Sequence, residues 1–274
     1  MAGAAAVASA DPPDPAENRS LLALGDSVVF GFIAQDGYAY TNPDNFIGYP
    51  GYAGLELRLH AANAGCPGET SGSFISVTTP DNGCQAFRAR FPLHVKYARS
   101  QLDFATRFLA IHGDTRLVTI GLGANDLFLL QDSCADLECI QSGLPGVLAT
   151  ISSNVDTILG SLRATGFHGV LVVVNYYSLD YTDPFQTGVT ELLNQALTAP
   201  AAAHHAVVAD AFTAFQTAAS TSFAGGKTCR AGLLNASPRD QSLCDVHPSQ
   251  SGQQLLSVTV EAAYRAALRA HGDD

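Results

Sequence analysis

Positive charge is scarce in this sequence. Fourteen lysines and arginines stand against 25 aspartates and glutamates, a formal net charge of −11, and the two lysines are Lys96 and Lys227. Such a chain is poorly suited to phosphate backbones or anionic bilayers, so no nucleic-acid partner is expected. Long apolar runs are also missing. None reaches the ~18 residues that a membrane span needs, which argues against stable membrane insertion. There is no internal repeat to suggest a solenoid. There is no Cys-x-x-Cys, and the one close cysteine–histidine pair, Cys244 and His247, has no second pair at zinc spacing. No metal site is expected.

What is present is the makings of a globular core. Hydrophobic residues form 47% of the 274 positions, too many for a disordered chain. The leader reads MAGAAAVASADPPDP, with Ala8-Ser9-Ala10 placed as in an A-x-A cleavage site. It lacks a basic start, so it resembles the tail of a secretory signal; a flexible Ala/Pro leader is the alternative. Residues 1–19 are expected to be disordered. Residues 20–274 are expected to form a single domain, with nothing to suggest more than a monomer. The six cysteines, Cys66, Cys84, Cys134, Cys139, Cys229 and Cys244, allow 15 pairings. Pairing of sequence neighbours, 66–84, 134–139 and 229–244, is the simplest, with free thiols as the alternative. Disulfides and a secretory leader would both place the protein outside the cell.

Strand and helix patterns alternate along the chain. Strands are predicted at 21–24, 116–121, 170–175 and 206–209, and helices at 52–62, 98–111, 144–164, 188–197 and 249–271. Pro145 suits the first turn of its helix. The run Val-Leu-Val-Val-Val-Asn at 170–175 reads as a strand buried on both faces. This alternation predicts an α/β fold, a central parallel sheet between two layers of helices. Ligands in such folds bind at the carboxyl ends of the strands.

Four stretches have the residues to act there. The first strand breaks into Gly25-Asp26-Ser27, placing a hydroxyl just past its end. Asn63-Ala64-Gly65-Cys66-Pro67-Gly68-Glu69-Thr70 is a glycine-rich loop able to expose backbone N–H groups. Gly123-Ala124-Asn125-Asp126 follows the strand at 116–121. Cys244-Asp245-Val246-His247-Pro248 precedes the last helix. Singly, each reads as a turn, a surface loop or a helix cap. Their order on one strand–helix frame says more.

Together they resemble the signature blocks of the SGNH, or GDSL, hydrolases, and the resemblance spans residues 21 to about 270. It implies a flavodoxin-like three-layer α/β/α sandwich with about five parallel strands. It also implies a serine esterase of the extracellular bacterial type, with a small-molecule or lipid ester as substrate and no cofactor; the alternatives are a lipase or phospholipase on long-chain lipids, a carbohydrate-deacetylating esterase, and, from another class, a non-catalytic binding protein on the same fold, against which the intact Ser, Gly, Asn and His set argues. Ser27 is then the nucleophile and His247 the base. The backbone amides of Ser27 and Gly68 and the side-chain amide of Asn125 form the oxyanion hole. Asp26 and Asp126 are expected to be structural, and Cys66 to brace the oxyanion loop.

One position departs from the pattern. The family's acid stands three residues before the histidine, where this sequence has Cys244; Asp245 is two before. Either Asp245 reaches the imidazole or a backbone carbonyl, such as that of Cys244, orients it. A Cys229–Cys244 bridge would hold this loop still, contributing ~3 kcal/mol by the chain-entropy argument. Residues 28–50, 127–130 and Tyr176-Tyr177 are candidates to line an acyl pocket.

Overall fold

The computed structural model describes residues 19–34 and 37–272. Of the expected leader at 1–19, residues 1–18 lie outside the described residues. Chain order begins with β1 (Ser20–Gly25), α1 (Ser27–Phe30), two 3-10 turns (Gly37–Thr41 and Pro43–Asn45), α2 (Tyr49–Leu57) and β2 (His60–Asn63). Next come α3 (Ser71–Ile75), α4 (Cys84–Arg88), α5 (Gln101–Ile111), β3 (Thr115–Gly121), α6 (Ala124–Ser133), α7 (Leu137–Ala164) and β4 (Val170–Val174). The chain ends with α8 (Pro184–Ala203), β5 (Val207–Ala209), α9 (Ala211–Ala219), the short strands β6 (Leu234–Ala236) and β7 (Cys244–Pro248), and α10 (Gln250–Gly272).

Five strands form a parallel sheet in the order β2-β1-β3-β4-β5. This is the flavodoxin-like order, and its switch point lies between β1 and β3. Alternate side chains of each strand enter opposite layers. Leu22 and Leu24 pack with Val118, Ile120, Leu171 and Val173 against α5, α7 and α8. Leu21 and Ala23 pack with Leu117, Val172 and Val174 against α2, α9 and α10. Every residue of β1 is buried, because both faces are covered. The expected three-layer α/β/α architecture is the observed one.

Two sequence readings need correction. Residues 52–62 are not one helix: α2 starts earlier, at Tyr49, and ends at Leu57, where Arg58 turns left-handed at φ 54°. The chain then supplies β2, the edge strand, pairing Ser20 with His60 and Ala23 with Asn63. Leu55, on the apolar stripe that suggested the helix, is 77% exposed. The long helix begins at Leu137 rather than 144, capped by the Asp136 side chain, which accepts from the Cys139 amide; Pro145 therefore lies inside it. An aspartate at the N-cap outweighed the proline as a start signal.

The cysteines pair as neighbours: Cys66–Cys84, Cys134–Cys139 and Cys229–Cys244. The first ties the loop after β2 to α4, the second joins α6 to α7, and the third pins β7. Among the described residues no helix is long and apolar enough to cross a membrane.

Candidate active site

The site is assembled where β1 ends. Gly25 closes the strand at φ 139°, and a side chain there would run into the Gly121 carbonyl of β3. Asp26 then caps α1, its Oδ1 accepting from the Val28 amide at 2.9 Å. Ser27 is thereby fixed as the first residue of a helical turn, at the switch point. Amides in a first turn have no intrahelical acceptor, and among the described hydrogen bonds none takes the Ser27 N–H.

His247 arrives from β7. This strand pairs antiparallel with β6, a two-stranded ribbon separate from the main sheet. His247 Nε2 lies 3.0 Å from Ser27 Oγ, and its Nδ1 lies 2.7 Å from Asp245 Oδ2. An ionised carboxylate can only accept, so Nδ1 carries the proton and Nε2 accepts from the serine hydroxyl. The two-residue spacing has a direct cause. In an extended strand, residues i and i+2 project to the same side, so Asp-x-His on β7 presents both side chains together. Val246, between them, has its carbonyl held by the Tyr177 hydroxyl at 2.7 Å. Burial works to raise the Asp245 carboxyl, but the bond and charge of His247 and the Val246 amide outweigh it and hold Asp245 below its ordinary value. The Phe32 ring rests on the imidazole, 4.8 Å between centroids.

The third part is the loop after β2. Gly68 has φ 87°, and a side chain there would strike the Asn82 carbonyl, so both conformation and space demand glycine. The Asn125 amide nitrogen donates to the Glu69 carbonyl at 3.0 Å, and its oxygen accepts from Asn82 Nδ2 at 2.9 Å. One N–H of that amide remains for a ligand. Asp126 Oδ2 accepts from the Ser71 amide and Oδ1 from its hydroxyl, a structural clamp as expected. Asp26 is likewise structural. Its Oδ2 accepts from the Tyr176 hydroxyl at 2.5 Å, and burial pushes its carboxyl up to about 6. The sulfurs of Cys66 and Cys84 and the Glu69 carboxyl lie within 4.8 Å of one another, but sulfurs joined in a disulfide are not thiolate ligands for a metal.

The profile of the GDSL-like lipase/acylhydrolase family matches residues 23–255. The chain belongs to this family. Solved structures agree in fold. A lipase from a goat rumen metagenome is 15% identical, covering 89% of this chain and 97% of its own, with a TM-score of 0.57. An acetylxylan esterase from Geobacillus stearothermophilus, as a catalytic mutant, is 15% identical over 90% of this chain and 94% of its own, TM-score 0.56. A lipase/acylhydrolase from Enterococcus faecalis is 15% identical over 92% and 96%, TM-score 0.51. No curated protein matches the chain.

Of the residues expected at the site, Ser27 and His247 lie within hydrogen-bond reach of each other, and the Asn125 amide is bound to the Glu69 carbonyl next to Gly68. Several supporting residues escaped the sequence reading. Asn82 orients the Asn125 amide from a loop with no motif. Gln101 reaches Gly25 across 76 positions of chain. Tyr176 and Tyr177, taken as candidates for an acyl pocket, are buried instead, and their hydroxyls brace Asp26 and Val246. No local pattern announces such contacts, because each depends on the tertiary fold.

Proposed function

We propose that this GDSL-family protein is a secreted serine esterase, cleaving carboxylic esters with an apolar acyl group through an acyl-enzyme. The observation that carries the reading is the unbroken chain Asp245–His247–Ser27, with bonds of 2.7 and 3.0 Å, beside a donor set suited to an oxyanion. Ser27 Oγ attacks the ester carbonyl carbon while its proton passes to His247 Nε2. Asp245 holds the tautomer and offsets the imidazolium charge. The carbonyl oxygen takes the negative charge and is met by the amides of Ser27 and Gly68 and by Asn125 Nδ2. The intermediate collapses, and the alcohol leaves with the proton from His247. Water then attacks the acyl-serine by the same route and frees the acid.

An apolar acyl group is favoured by the wall beside His247. Phe32 stacks on Tyr40 at 5.4 Å, and Tyr40 continues to Phe46, Phe87 and Phe91 at 5.4, 5.6 and 5.2 Å. Phe46 is fully buried behind this wall, and the half-buried rings of Phe32, Tyr40, Phe87 and Phe91 offer an apolar face that suits hydrocarbon better than a sugar's hydroxyls. That favours a lipase-like substrate over the acetylated carbohydrate of the Geobacillus enzyme. Secretion is supported by the three disulfides, which persist in oxidising compartments.

A panel of p-nitrophenyl esters from acetate to palmitate tests both parts. Wild-type protein should hydrolyse the panel, favouring chains longer than acetate, and Ser27→Ala should be inert while folded. Comparable turnover by Ser27→Ala would remove Ser27 from the mechanism, and a strict preference for acetate would remove the apolar acyl group.

A further inference from the structure

Behind the proposed oxyanion loop lies a buried carboxyl that no catalytic step uses. Glu69, the residue after Gly68, is 2% exposed. Its Oε1 accepts from the Ser73 hydroxyl at 2.5 Å and its Oε2 from Gln101 Nε2 at 3.0 Å. Its backbone carbonyl accepts from Asn125 Nδ2. Gln101, the first residue of α5, is fully buried. It grips the peptide edge of Gly25 from both sides: Oε1 accepts from the Gly25 amide at 2.5 Å, and Nε2 donates to the Gly25 carbonyl at 3.0 Å. The same carbonyl accepts from the Cys66 amide at 3.0 Å.

These bonds connect the two halves of the site. Gly25 lies two residues before Ser27, and Glu69 sits between Gly68 and the loop's capping residue, Thr70. The only side-chain bridge between them among the described hydrogen bonds is Gln101 Nε2 to Glu69 Oε2. A buried carboxyl is a costly way to fill space, since an apolar residue would avoid its desolvation. Its retention calls for something an apolar residue cannot do, and accepting from Ser73 and Gln101 at once meets that requirement.

We propose that Glu69 and Gln101 are positioning residues that lock the oxyanion donors of Gly68 and Asn125 in register with Ser27. The proposal rests on the esterase reading above. It deepens that reading by assigning the alignment to a carboxyl outside the triad. Neither residue touches substrate. Both act through the backbone they hold, and a displacement of about 1 Å in such donors is enough to cost ~10²-fold in turnover.

The carboxylate form is the one that fits. The Ser73 oxygen accepts from the Thr70 amide at 3.0 Å and keeps its own proton to give to Glu69, while the Thr70 hydroxyl donates to the Pro80 carbonyl at 2.9 Å. Burial opposes this and pushes the Glu69 carboxyl up to about 7; the Ser73 and Gln101 bonds and the charge of Arg88 pull it down, and Asp81 adds to the rise. Arg88 acts through space, its guanidinium being bound to the carbonyls of Arg99 and Tyr97. The Tyr97 hydroxyl, 3.3 Å from Gln101 Nε2, completes the groups around this centre. As pH falls through 7 the carboxyl takes a proton, becomes a donor facing donors, and the lock loosens.

The experiment is steady-state kinetics from pH 5 to 9 on wild type, Glu69→Gln and Ser73→Ala, with folding checked by urea unfolding. Glu69→Gln should lower kcat roughly 10-fold or more while KM stays within about 2-fold, because donors made for the transition state are misplaced. On the acid side, log kcat of the wild type should show an inflection near pH 7 that is absent from Glu69→Gln. Ser73→Ala removes one donor to the carboxylate and should move the Glu69 inflection to higher pH. A folded Glu69→Gln with wild-type kcat and an unchanged profile overturns the proposal. If Glu69→Gln does not fold, an unshifted profile in Ser73→Ala overturns it. An inert wild-type protein would overturn the esterase reading and this proposal with it, whereas an active wild type matched by its variants overturns this proposal alone.

Discussion

Asp245 decides between a triad and a dyad. Its carboxylate is 2.7 Å from His247 Nδ1, and the interaction keeps it below its ordinary value, so it is ionised throughout the neutral range. A depressed carboxyl contributes its stabilisation above its unfolded value and loses it as pH falls through the folded one, well into acid. Asp245→Asn should therefore cut turnover at neutral pH by up to ~10⁴, the loss seen when a triad acid can no longer fix the tautomer. Steady-state hydrolysis of a single ester checks this, and near-wild-type turnover would leave a Ser27–His247 dyad. At this scale much of the site was legible. Ser27, Gly68, Asn125 and His247 each sit in a short block whose residue types suit the proposed chemistry. The part of Asp245 was left open because the spacing departed from the family pattern, and spacing has no meaning until the backbone conformation is known. In a turn, two residues would point apart; on β7 they share a side. Glu69 and Gln101 were not legible, since a glutamate in a polar loop and a glutamine after a serine N-cap look like surface residues.

Among elements, the strands with strong apolar patterns announced themselves. Val170–Val174 and Thr115–Gly121 are rich in β-branched residues and buried on both faces. β2 did not. His-Ala-Ala-Asn has no β-branched or aromatic aliphatic signal, and Ala61 and Ala62 extend an apparent helical stripe from Leu59. Pairing with β1 overrides that propensity, because an exposed flank of β1 would leave its backbone groups unsatisfied. β7 was missed for a related reason: it belongs to a two-residue-overlap ribbon stabilised by the Cys229–Cys244 bridge and the Tyr177 and Asn235 contacts rather than by its own composition. The start of α7 was legible in Asp136, but Pro145, which suits a first turn and here lies inside the helix, drew the predicted start to 144.

For the molecule as a whole, the two buried carboxyls set a pH dependence of stability. Asp26 moves from an ordinary 3.8 to about 6 and Glu69 from 4.5 to about 7, both through burial. The folded state therefore binds protons that the unfolded chain has released. The associated stabilisation is full below about 4, and it is lost as pH rises through 6 and 7, a matter of a few kcal/mol. Urea midpoints should fall between pH 5 and pH 8, and Glu69→Gln should flatten the decline. A midpoint that rises across this window would contradict the burial of these groups. The net charge of −11 acts in the same direction at high pH, through self-repulsion, so the difference between wild type and variant is the informative quantity.

The central claim is that His247 activates Ser27 within the folded site. A fluorophosphonate, which reacts with activated serine hydroxyls, tests it most directly when followed by peptide mapping. The native protein should take one label, at Ser27. Urea-unfolded protein and folded His247→Ala should take almost none, because a serine hydroxyl without its base is a poor nucleophile. A native protein that remains unlabelled, or one labelled at another serine, would contradict the account.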